Sequence, residues 1–339
     1  MNLVRAELER LGARRFVQLM VVLLVLAFGV TTATTVAGSH QPTAAELAAA
    51  QRQAADNLRD LEARYERCLA RERGALPTAP GEEGGYLPRD CSEVDPALRE
   101  RLPVATDYLT GVFVFSQEAL PLLYFLIAFL VLFGFLVGAS YIGADLNSGG
   151  VVNLLLWRPR RMTVLGTKLA ALLGAVLALS LVASVVYLGT FWTVARATGL
   201  PGTLDAAFWS EIGAIWGRGL LVVLLAAATG FAVATLGRHT SAALGAVAAY
   251  VVVWELGARL VMEILETARP DQLMLSSYVG AWLAGRVEFW DGRPCVPTSY
   301  GSCDLMYELT WPTGLAVLLL LAGGLTTAAF AVFRRRDLM

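Results

Sequence analysis

The chain has 339 residues, a mean hydropathy of +0.59, and 56% apolar against 16% charged residues, more apolar surface than one aqueous core of this length can hide. Lipid must therefore solvate much of it. The formal net charge of −1 gives no sign of a nucleic-acid surface. Lys168 is the only lysine, and this Ala- and Arg-rich, Lys-poor usage suggests a GC-rich bacterial genome.

Six stretches are apolar over the roughly 20 helical residues needed to cross about 30 Å of hydrocarbon. They are 16–37, 120–140, 164–191, 216–236, 241–264 and 313–333, so the expected fold is an all-α polytopic membrane protein with six transmembrane helices. Ahead of the first, residues 1–15 predict an amphipathic interfacial helix. Leu3, Val4, Leu8 and Leu11 recur on one face, with Arg5, Glu7, Glu9, Arg10 and Arg14 on the other. The first apolar run is too long for a signal-peptide core and is read as a retained span.

The connection at 38–119 is large. Thr43 and Glu46 form a capping-box pattern, and Gly74 supplies a stop, which predicts a helix over 44–73. Its residues Ala54, Leu58, Leu61, Tyr65 and Cys68 make a narrow seam for one partner, either a second copy of the helix or the rest of this loop. From Ala75 to Pro103 the chain is rich in Pro, Gly and acids and reads as irregular. In the fifth span Glu255, Arg259 and Glu263 are spaced four apart and share one face of a regular helix. Ionisable residues at such depth mark either a pathway or a buried ion pair, and pairing of Arg259 with both neighbours is the expectation. The connection at 265–312 holds a second short apolar stretch, Leu273 to Leu283, with Tyr278 and Trp282, which predicts a short helix at the interface.

Arginine placement orients the spans. Arg5, Arg10, Arg14 and Arg15, then Arg158, Arg160, Arg161 and Lys168, then Arg238, then Arg334, Arg335 and Arg336 all fall on one side, while the alternate connections are net acidic. Both termini are therefore expected in the cytoplasm. The four cysteines, Cys68, Cys91, Cys295 and Cys303, all fall in the two connections assigned outside, where disulfides persist. Pairing within each loop is the simplest arrangement; pairing between loops or protomers stays open. No cysteine pair has the two-residue spacing of zinc ligands, and His40 and His239 fall on opposite faces.

No catalytic set is recognisable in the chain, and Lys168 follows a threonine where a phosphate-cradling loop needs glycine. The informative stretch is 141–163 and the residues just after it. It presents Asp145, a break at Ser148, Gly149 and Gly150, an apolar run containing Leu154, Leu155 and Trp157, then Arg158, Pro159 and Arg161. These breakers predict a short apolar helix with a basic rim, a surface that needs a protein partner to cover it.

This stretch resembles the coupling loop of ABC-2 type permeases, the membrane subunits of type V ABC exporters. That family typically shows an acid, two residues, Ser-Gly, an apolar segment, a proline closely followed by arginine, and a lysine opening the third span. Asp145, Ser148, Gly149, the run to Trp157, Pro159, Arg161 and Lys168 stand at those positions, with aspartate where glutamate is usual. The N-terminal helix resembles the family's connecting helix, and the ending from Phe333 to Leu338 its common C-terminus. The first outer loop is longer than usual. The resemblance implies a coupling helix seated on an ABC ATPase, a dimer of permease protomers, and no cofactor in this chain, ATP and magnesium belonging to the ATPase subunits. Spans rich in Trp and Phe imply a hydrophobic or amphipathic cargo, a drug-like natural product or a lipid, exported across a bacterial plasma membrane. The large first loop keeps a second reading open, a non-transporting transducer that relays ATPase motion to an outer partner.

Overall fold

A computed structural model describes residues 3–74, 90–99, 101–150, 160–292 and 306–335. They divide into two compact units, one of Met1–Thr31, Ala119–Gly189 and Asp205–Met339, the other of Thr32–Glu118 and Thr190–Leu204. Six helices are long and apolar enough to cross a membrane: α2 (Arg15–Ala37), α4 (Phe115–Asn147), α5 (Arg161–Thr198), α6 (Ala206–Gly237), α7 (Thr240–Ile264) and α9 (Trp311–Arg335). The protein is a helical multi-pass membrane protein. The remaining helices are α1 (Leu3–Gly12), α3 (Ala44–Glu72) and α8 (Leu275–Ala284).

Helices α4, α5 and α6 overrun the stretches that predict them. Hydropathy marks only the part of a helix suited to hydrocarbon, whereas a helix continues until a breaker stops it. For α4 that breaker follows Asn147, where Gly149 takes a left-handed φ of +72° that other residues adopt only with strain. Helix α1 stops at Gly12, short of the expected boundary at residue 15.

In the first unit α4 and α6 meet backbone to backbone. A β-carbon on Gly138 would lie 2.3 Å from the Ala227 carbonyl oxygen, and one on Gly230 would lie 2.2 Å from that of Phe135. Without a hydrophobic drive between helices in lipid, such close approach is what holds spans together. Helix α9 packs against α6 and α8, with the Trp282 and Trp311 rings 6.2 Å apart.

The connection before α9 adds a two-stranded hairpin to this otherwise helical fold. Strands β1 (Arg286–Trp290) and β2 (Met306–Thr310) form an antiparallel pair, Val287 facing Leu309 and Phe289 facing Tyr307. Their period-two apolar residues share a face that packs on Ala281 and Tyr278 of α8. Arg269 pairs with Asp291 at 2.6 Å and stands over the Tyr307 ring, 4.8 Å from its centroid. Burial, with Asp271 second, pushes the Tyr307 phenol up to about 12. The short helix expected over 273–283 is α8, with Ser277, Ala281, Trp282 and Leu283 buried.

The second unit is built on α3. Its capping box forms as read: the Glu46 backbone N–H donates to the Thr43 hydroxyl and the Thr43 N–H donates to the Glu46 carboxylate at 2.7 Å. That backbone donor, then the Thr43 hydroxyl and His40, hold the Glu46 carboxyl below the usual glutamate range. The seam of Ala54, Leu58, Leu61, Tyr65 and Cys68 is less exposed than its flanks, and short 3-10 turns at Cys91–Val94, Pro96–Leu98 and Ala105–Tyr108 pack against α3. Of the two partners left open for the seam, the rest of its own loop is therefore the one that packs on it here. Asn57 of α3 also donates to the Tyr108 hydroxyl at 2.7 Å. Cys68 and Cys91 are joined by a disulfide, with Cα atoms 5.7 Å apart. Cys295 and Cys303 lie outside the described residues.

The disulfide closes a loop spanning 23 residues. Replacing Cys68 and Cys91 together by serine is expected to remove about 3 kcal/mol of local stability. Limited proteolysis should show faster cleavage within α3 while the spans remain intact, and cleavage at the parental rate would contradict it.

Candidate functional site

Lys168 lies on the buried face of α5, in line with Val164, Leu165, Ala171 and Leu172. An ammonium there needs anionic partners, because an unpaired buried charge is far costlier than a buried apolar group. Two carboxylates from distant parts of the chain supply them. Lys168 Nζ donates to Glu7 Oε2 of α1 at 2.8 Å and to Asp145 Oδ2 of α4 at 2.7 Å. The Lys168 and Glu7 side chains are each only 2% exposed.

A second shell of donors completes the site. The Tyr141 hydroxyl donates to Glu7, and the Arg14 guanidinium donates to Asp145 and, at 3.1 Å, to the Ser140 carbonyl. Arg14 and Lys168 each stand 5.0 Å from the centre of the Tyr141 ring. Arg10 also approaches Glu7 Oε1 at 3.7 Å, so the cluster sets two carboxylates against one ammonium and two guanidiniums. What it does is mechanical: it pins α1, the end of α4 and the start of α5 at one point.

Asp145 and Lys168 flank the segment between α4 and α5, so the ion pair bridges the two ends of the stretch singled out in the sequence. Asp145 sits in the last turn of α4, Ser148 and Gly149 follow its end, and Arg161 opens α5. Leu154, Leu155, Trp157, Arg158 and Pro159 lie outside the described residues.

Sequence reasoning assigned Glu7 to the solvated face of the first helix. That is corrected: Glu7 and Leu11, four apart, form the buried face and Leu8 is exposed. Periodicity alone does not reveal this, since a carboxylate on an inward face is stable only because Lys168 and Tyr141 meet it there. A signal existed in the unpaired position of the chain's only lysine on an otherwise apolar helix face.

The trio of α7 is only partly assembled. Arg259 pairs with Glu263 at 3.2 Å and with Asp271 at 3.4 Å, and the Arg259 and Glu263 side chains are 49% and 54% exposed, so this is not a buried pair. Glu255 instead accepts from the Tyr250 hydroxyl at 2.7 Å and from the Ser276 N–H and hydroxyl at 3.1 and 2.8 Å. The cause is a π-helical stretch, Tyr250–Ala258, which brings residues five apart into register and replaces the spacing of four on which the shared face depended. Glu255 thereby satisfies the first turn of α8.

An apolar cavity of about 200 Å³ lies among α2, α4 and α5, lined by Leu24, Phe28, Leu126, Val182 and Tyr187 among others. Comparison with protein-family models, curated proteins and solved structures finds no match to this chain.

Substituting Lys168→Met leaves Glu7 and Asp145 without their cation and is expected to lower unfolding stability in detergent by about 3–5 kcal/mol. Adding Glu7→Gln should recover part of the loss, because two buried polar groups are then neutralised together. A K168M protein as stable as the parent contradicts the pinning role.

Proposed function

We propose that the chain is the membrane-spanning subunit of an ATP-driven exporter of the ABC-2, type V kind. Both termini and the α4–α5 segment face the cytoplasm of a bacterial cell, α1 lies along the inner interface, and the segment 148–160 docks on a separate ABC ATPase that binds ATP and magnesium. A second permease protomer completes the complex. The observation that carries the reading is the buried Lys168, which pairs with Asp145 across that segment and with Glu7 of α1. A push delivered between Ser148 and Arg160 then reaches two long spans through a stiff joint, whereas a loose connection would absorb it. To drive a cycle, the ATPase must contact the segment differently in at least two states.

The cargo is a hydrophobic or amphipathic compound, such as a drug-like natural product or a lipid. The apolar cavity among α2, α4 and α5 supports that class, since its lining offers almost no polar surface. The non-transporting transducer reading draws on a different observation, the folded and disulfide-tied unit of α3, and predicts that deleting residues 44–73 abolishes signalling and produces no transport defect.

In proteoliposomes with the cognate ATPase, amphipathic compounds are expected to stimulate ATP hydrolysis and to be moved. The substitution Trp157→Ala should cut that stimulation by more than about tenfold, as loss of an aromatic anchor does at protein interfaces. Stimulation by small ions or sugars alone would overturn the cargo class, and an undiminished W157A complex the docking role.

A further inference from the structure

At the end of α9 the chain forms a groove that the transport reading does not use. It has a volume of about 500 Å³ and runs between the last three turns of α9 and Met162, in the first turn of α5. Two ridges of α9 with four-residue spacing make its wall: Thr326, Phe330 and Arg334 on one, Thr327, Ala331 and Arg335 on the other. The polarity is graded along the groove. At the membrane end both threonine hydroxyls bond back to their own helix, Thr326 to the Ala322 carbonyl at 2.7 Å and Thr327 to that of Gly324 at 2.9 Å. Methyl groups, the Phe330 ring and Met162 are then what the floor presents.

At the other end stand two exposed guanidiniums. Neither Arg334 nor Arg335 has an ion pair among the described residues. The carbonyl end of α9 offsets about half a unit of this charge, which leaves the mouth positive. Arg160, two residues before Met162 in the chain, adds the same sign.

We infer that this groove is a binding site for one anionic phospholipid of the leaflet at that end, with its headgroup phosphate on Arg334 and Arg335 and the start of an acyl chain along Phe330, Ala331 and Met162. A soluble anion would leave the apolar floor wet, and a neutral lipid would leave the guanidiniums without a counter-charge; an anionic lipid satisfies both ends at once. The leaflet follows the orientation given under the proposed function, and the cytoplasmic leaflet is the one with negative surface potential. The lipid would sit against the first turn of α5, on the helix that carries Lys168.

Native mass spectrometry of the purified full-length chain, released from detergent micelles loaded with equal amounts of phosphatidylglycerol and phosphatidylcholine of identical chains, tests this. Phosphatidylglycerol should be retained in preference. The double substitution Arg334→Gln/Arg335→Gln should weaken its retention by about 20-fold, from roughly fivefold per cationic side chain at an anionic surface, and leave phosphatidylcholine unchanged. Ala331→Trp, which fills the groove at an exposed position and keeps both arginines, should weaken it as well, while the control Arg52→Gln/Arg73→Gln in α3 should not. Equal retention of the two lipids overturns the inference. So does parental retention by R334Q/R335Q or by A331W, or displacement of the lipid by equimolar glycerol 3-phosphate. Because binding is read without the ATPase, failure here leaves the exporter reading standing, and failed coupling leaves this site standing.

Discussion

One buried ammonium constrains the rest of the first unit. Lys168 is acceptable inside α5 only if two carboxylates come to it, and those lie 161 and 23 residues away in the chain. Glu7 must therefore be delivered by α1, and Asp145 by α4, before α5 can bury its own apolar face. Tyr141 donates a further hydrogen bond to Glu7 and Arg14 one to Asp145, and such added donors are what make a buried ionic cluster tolerable. Energetically such a cluster adds little net stability over an apolar replacement. What it adds is specificity, since other registers of α1 against α4 and α5 would strand a charge.

That specificity has a mechanical side. The close Gly138 and Gly230 approach fixes α4 against α6, and the Lys168 site fixes α4 against α5 and α1. Three spans are thus joined near the end where α4 gives way to the 148–160 segment. Gly149 takes a left-handed turn just past the end of α4, while the ion pair ties that end to the start of α5. The same joint fits the proposed exporter and the proposed transducer; the apolar cavity bears on the first and the α3 unit on the second.

The parts legible in the sequence are those set by local rules. Six spans follow from hydropathy, α3 from its capping box, and the Cys68–Cys91 bridge from thiols gathered in one loop. The parts missed depend on partners far along the chain. Glu7 looks like an ordinary polar residue until Lys168 is placed beside it. Glu255 looks like a partner for Arg259 until the π-helical turn puts it in register with Tyr250 and turns it to the start of α8. The strands before α9 are short, and Val287, Phe289, Tyr307 and Leu309 read as alternation only when both are considered together. The residues of the proposed docking surface itself, Leu154 to Pro159, are known from sequence alone.

The most direct test of the account is to place a photoactivatable residue at Leu155 and irradiate native membranes, then identify the adducts by mass spectrometry. An ABC ATPase cross-linked at that position, and lost when Pro159 and Trp157 are replaced together, is the predicted result. Adducts with lipid or extracytoplasmic proteins, and none with an ATPase, would contradict it.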